Sequence, residues 1–202
     1  MSHAPTKTVT STYFRAAALA LAEAAAVLGE FTRPPADPRG ILHRIEQIDC
    51  AVEIVLGNLA QALEGETGSR SQRFEIDRLA RAFAQVARQY ASAATLAQRL
   101  GLTWASDPEA ELIDAVARCA RATVGALSSL SPPPLSGFRM ELLRLVIDAE
   151  RHTTRKSSDG DAFQRELRAI LRALLLAGYA IPESFARRAA DSMYSPRLER
   201  RK

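Results

Sequence analysis

The sequence predicts an all-α protein, a bundle of six or seven helices joined by short connections containing proline and glycine. Three observations predict it. Alanine supplies 37 of the 202 residues and arginine 24, and both are strong helix formers. Apolar residues recur at spacings of three and four along most of the chain, and no segment sustains the alternation of a strand. Prolines cluster between the periodic segments, where they break helices. Hydrophobic residues at 47% and charged residues at 25% are ordinary for a globular domain, which excludes disordered, collagen-like and polytopic membrane chains.

The first helix is expected from about Ser11 to Glu30, with Phe14, Ala17, Leu21, Ala24 and Leu28 on one side. Its run Ala16–Ala22, preceded by Lys7 and Arg15, resembles a short leader, but Glu23 interrupts it and the amphipathic-helix reading is preferred. Pro34, Pro35 and Pro38 end this segment. The second helix runs from about Arg39 to Glu64 on a stripe of Ile41, Ile45, Ile48, Val52, Val55, Leu59 and Leu63. Residues Gly65–Ser71 read as a loop. The third helix carries Ile76, Leu79, Phe83, Val86, Tyr90, Ala93, Ala97 and Leu100 in an unbroken seam, and Gly101 is placed for a left-handed cap.

The fourth helix opens on a capping box, Ser106 with Glu109, and continues through Ile113, Val116, Ala120, Val124 and Leu127. The fifth, about Gly137–Arg155, is apolar over a broad arc that includes Phe138, Leu142, Leu143, Leu145, Val146 and Ile147. Such a helix is expected at the centre of the packing. The sixth is capped by Asp161 with Gln164, buries Phe163, Leu167, Ile170, Leu171 and Leu174, and is expected to end at Gly178. A short seventh begins at Pro182 with Phe185, Ala189 and Met193 inward. Residues 1–10 read as a flexible N-terminus, 11–195 as a single helical domain with any subdivision near 101–106, and 196–202 as a basic flexible tail. No internal repeat of fixed period is present in the sequence.

Chemistry is harder to place. No stretch reaches the length of apolar chain needed for a membrane span. Two cysteines, Cys50 and Cys119, are too few for a disulfide framework and fit a reducing, cytoplasmic setting. His43, Glu46, Cys50 and Glu53 stack along the second helix, but on the side away from its apolar stripe, so they read as a solvated face and not as metal ligands. His152 reads as a cation near a helix C-terminus, and Asp159–Gly160–Asp161 as a turn and cap. Nucleophile elbows and phosphate loops are absent from the sequence, and no cofactor is expected. Leu96–Thr103 resembles the start of a helix-turn-helix, but Asp107 and Pro108 fall where its second helix should run. Arg139 and Glu150 are the charges placed towards the apolar arc of the fifth helix.

The net charge is +4. Arg78, Arg81, Arg88 and Arg99 share a flank of the third helix, and Arg165, Arg168 and Arg172 a flank of the sixth. Arg118 and Arg121 mark the fourth helix, and Arg187 and Arg188 the seventh. Planar guanidinium groups so spaced suit phosphate. The leading expectation is a non-enzymatic binding or scaffolding protein. It would act through helix-face contacts with a protein partner or a second copy of itself. Sequence-independent nucleic-acid contact through the arginine stripes is the alternative, and a small-ligand or enzymatic bundle the third reading.

Overall fold

A computed structural model of the chain describes residues 5–64, 69–128, 135–154 and 162–182, with side chains from Thr10 and none for 152–154. Six helices make up these residues: α1 Pro5–Leu28, α2 Pro38–Glu64, α3 Arg70–Arg99, α4 Asp107–Ser128, α5 Leu135–Thr154 and α6 Ala162–Ala180. A single 3-10 turn, Gly29–Thr32, follows α1. The expected seventh helix lies outside the described residues, as do the Asp159–Asp161 turn and the side chain of His152. Helix α1 begins at Pro5, ahead of the apolar periodicity, because proline is well suited to a first helical turn.

Helix ends follow local chemistry. Ser69 accepts a hydrogen bond from the Gln72 amide at 3.2 Å and caps α3. At the other end Gly101 adopts φ +62°. Its amide donates to Gln98 O at 3.0 Å, and Leu102 N donates to Ala97 O at 2.9 Å. That pair closes the helix as a Schellman motif. Glu109 reaches back to the start of α4, where its carboxylate accepts from both the Ser106 amide (2.6 Å) and the Ser106 hydroxyl (2.8 Å).

The helices form two groups of three. α1 and α3 both pack on α2, and α5 and α6 both pack on α4. The groups meet along α1 against α4 and α3 against α6, and one continuous apolar core runs through both. Direction is set by the connections. The Phe31 carbonyl, just past α1, accepts from the Ala105 amide just before α4 at 2.8 Å, and Thr103 O accepts from Ala36 N at 2.9 Å. The end of α1 therefore lies beside the start of α4. Phe163, at the start of α6, packs edge-on against Phe31 at 5.7 Å. Phe74 at the start of α3 shares a cleft with Tyr179 at the end of α6, so that pair is also antiparallel.

Two expectations are corrected. Gly178 does not cap α6, which continues to Ala180. A β-carbon on Gly178 would sit 2.3 Å from Leu142 Cδ1, so the glycine is where α5 approaches α6 most closely. Helix α5 is not central. It packs on α4 and α6 at the edge of the bundle, burying Leu135, Phe138, Leu142, Val146 and Ala149. Of its remaining apolar residues, Met140 and Ile147 are exposed and Leu143 and Leu145 are half-buried.

Candidate binding surface on α3, α5 and α6

The arginine stripes divide when folded. Arg81 pairs with Asp77 one turn earlier on α3, and both side chains are exposed. Arg88 donates to Gln85 Oε1 at 3.4 Å and leans towards α2, where it acts on Asp49. Burial pushes the Asp49 carboxyl up, Glu53 adds to the shift, and Arg88 opposes it. Arg78 leans the other way, towards α6. Arg99 is exposed in the last turn, 21 residues from Arg78, which a helical rise turns into roughly 30 Å. On α6, Arg165 is exposed and Arg168 is half-buried, donating to Gln164 Oε1 at 3.4 Å. Arg172 is drawn to α5: Nη2 and Nε lie 2.9 and 3.0 Å from Glu150 Oε1.

Of the seven arginines, Arg78 reaches a concave site. The start of α3, the start of α5 and the end of α6 enclose a cleft of about 310 Å³. Phe74, Glu75 and Arg78 line it from α3, Arg139 from α5, and Tyr179 with the following turn from α6. Phe74 is 67% exposed and Tyr179 39%. Arg139 holds the site together. Its Nη2 donates to Ile181 O at 2.9 Å and to Tyr179 O at 3.3 Å, satisfying carbonyls that the end of a helix leaves open. The guanidinium carbon sits 5.7 Å from the centre of the Tyr179 ring. A cation over an aromatic face at that distance is attractive.

The sequence points to Arg78 and Arg139 but not to Phe74 or Tyr179. Periodicity had no signal for them. Phe74 precedes the apolar seam of α3, and Tyr179 lies beyond the glycine expected to end α6. A hydrophobe off the buried stripe was the one available hint.

A second groove lies between α2 and α3. It is apolar, about 230 Å³, and lined by Leu56, Leu59, Leu63 and Ile76, with Arg73 and Asp77 at its rim. The strip His43, Glu46, Cys50 and Glu53 is exposed along α2, where Gln47 Nε2 lies 3.1 Å from His43 Nε2. Among the described residues no group of three His, Cys, Asp or Glu side chains is placed to hold a metal ion. No described helix is long and apolar enough to cross a membrane. Cys50 is exposed, Cys119 is buried, and both are free thiols.

No protein-family model matches the chain, and no curated protein matches its sequence.

Proposed function

We propose that the protein is a non-enzymatic helical-bundle module that binds protein partners against its helix faces, a second copy of itself among them, in a reducing cytoplasmic setting. One observation carries this reading: α5 is apolar on two sides but packed on one. Its inner side is buried against α4 and α6. Outside, Met140, Leu143 and Ile147 recur at spacings of three and four, with Met140 and Ile147 exposed and Leu143 half-buried. Leu176 on neighbouring α6 is 66% exposed. Helices at a solvated surface put polar residues outward, so an outward apolar row marks a contact surface.

Photo-crosslinking from position 140 in the full chain tests the reading, with position 118 on exposed α4 surface as control. Discrete protein adducts from 140 and none from 118 are expected. Equal labelling from the two positions, or none from 140, overturns it.

A second reading, phosphate contact with nucleic acid, is favoured by the packing of α3 beside α6, the two helices that bear the arginines. Asp77 and Glu150 already engage Arg81 and Arg172, which leaves this reading weaker. A retained nucleic-acid complex whose affinity falls steeply with salt, and is lost in an Arg78→Ala, Arg165→Ala variant, would favour it.

A further inference from the structure

The two ends of the bundle differ in a complementary way. The cleft of Phe74, Arg78, Arg139 and Tyr179 is at one end. At the other stands Trp104, the only tryptophan in the chain, 59% exposed. It is not on a loose loop. Thr103 before it accepts from Ala36, and Ala105 after it donates to Phe31, so the backbone on both sides is tied to the α1–α2 connection. Leu100, four residues before it, is also exposed. The charges nearby on this end are Asp37 and Asp107, with Arg33 and Arg99. An aromatic side chain on a backbone held in this way has less ordering entropy to lose on binding than one on a free loop.

We infer that the protein self-associates head to tail, Trp104 of one copy seating in the Phe74–Arg78–Arg139–Tyr179 cleft of the next. This rests on the reading of the protein as a helix-face binding module and names its partner as a second copy. Size supports it: a cleft of about 310 Å³ is at the small end of ligand sites and suits a single ring system. Chemistry supports it as well. Two guanidinium groups and two aromatic rings line the cleft, and indole is the ring that cations prefer. Net charge does not decide the contact, since Asp37 and Asp107 at the Trp104 end are balanced by Arg33 and Arg99; the attraction is that of the ring for the two cleft arginines. The molecule's own cleft is out of reach. Arg78 and Arg99, the last residue of α3 before the Trp104 connection, are 21 residues apart on one helix, roughly 30 Å. Knob and cleft are different patches, so the contact is heterologous and each pair leaves one knob and one cleft free for further copies.

The test is light scattering of the full-length protein over a concentration series, with Trp104 emission recorded in parallel. The mass of the unaltered protein is expected to rise with concentration past that of a dimer, with the emission shifting to the blue. Trp104→Ala removes the knob, and Arg78→Glu spoils the cleft. Each is exposed, so the fold survives, and each alone should shift association to concentrations about tenfold higher or more. Mixed in equal amounts, the two variants should form a 1:1 dimer and nothing larger, because one knob and one cleft remain between them. A protein that is monomeric throughout, or a mixture that does not pair, overturns the inference. Association that survives both variants but is lost in Met140→Glu, Ile147→Glu overturns it while leaving the helix-face reading standing. Emission already blue in the monomer, and unchanged on association, would mean that the indole is covered within its own chain and would equally overturn it.

Discussion

At the scale of single residues, the fold distinguishes side chains that the sequence makes look alike. Gly57, Gly125 and Gly178 are all helical glycines. A β-carbon on Gly57 or Gly125 meets nothing within 4 Å, so alanine there should stabilise by about 0.5–1 kcal/mol through helix propensity. At Gly178 the same methyl runs into buried Leu142, and overpacking of about 1–3 kcal/mol outweighs that gain. Urea midpoints should rise for Gly57→Ala and Gly125→Ala and fall for Gly178→Ala. Tyr90 and Cys119 form a second case. Both are buried where α3 and α4 contribute to the shared core, and the Tyr90 hydroxyl has no hydrogen-bond partner. Tyr90→Phe keeps the ring and removes the orphan, and should raise stability by about 1 kcal/mol. Burial pushes the Cys119 thiol up to about 12, Glu141 adding to the shift and Arg118 opposing it. An unfolded thiol titrates near 8.5. Above that pH the unfolded chain loses a proton that the fold keeps, so stability falls as pH rises, by up to about 2 kcal/mol at pH 10. The drop in urea midpoint from pH 8 to 10 should shrink in Cys119→Ala. A thiol reagent at pH 8 should label exposed Cys50 at once and Cys119 only on unfolding.

At the scale of elements, the ends written in neighbouring residues were legible and those set by distant ones were not. The Ser106–Glu109 box and the Gly101 cap are read directly from sequence, because cap and helix lie within a few residues. The buried seam of α3 was legible for the same reason: its members from Ile76 through Ala97 repeat without interruption and are buried, whereas Leu100, expected on the same seam, lies past the end of the helix and is exposed. The end of α6 was not. Gly178 looked like a cap, but the space it leaves is filled by Leu142 from α5, 36 positions away. The actual cap is Arg139, which donates to the carbonyls of Tyr179 and Ile181. The peripheral place of α5 was hidden too. Its two apolar arcs look the same in the sequence, and only packing decides which one finds a partner. The candidate cleft was legible in part, through Arg78 and Arg139, but the pairing of α3 with α6 that brings in Phe74 and Tyr179 is tertiary. One consequence belongs at this scale. Arg139→Ala should strip α6 of its C-terminal donor and destabilise by about 1–2 kcal/mol. Hydrogen exchange should locate the loss, with protection falling in the last turn of α6 and unchanged in α3. A uniform loss across both helices would show that Arg139 acts on the whole core instead.

At the scale of the whole molecule, the question is whether the two three-helix groups are independent. The connection between them, residues 100–106, resembles a linker in sequence, with a glycine and a capping serine. In the fold it is tied down. Thr103 and Ala105 bond to the α1–α2 connection, and Ala105 is buried. The larger argument is packing. α1 against α4 and α3 against α6 are contacts between the groups, and the aromatic pair Phe31–Phe163 also crosses the boundary. Cut at this connection, each group would expose the apolar faces now turned to the other, Phe31, Phe163 and the α6-facing part of the α3 seam included. Three helices with so much apolar surface in water lose the burial that offsets chain entropy. The chain should therefore unfold in a single transition, with helical circular dichroism and Trp104 emission tracing superimposable urea curves. The emission probe reads the junction, and the dichroism reads the helices of both groups. Two transitions, or a chain of residues 1–101 that holds its helices alone, would mean that the groups are separate domains. One transition, with residues 1–101 unfolded or aggregated, would mean that the seam between α3 and α6 is part of what makes either half fold.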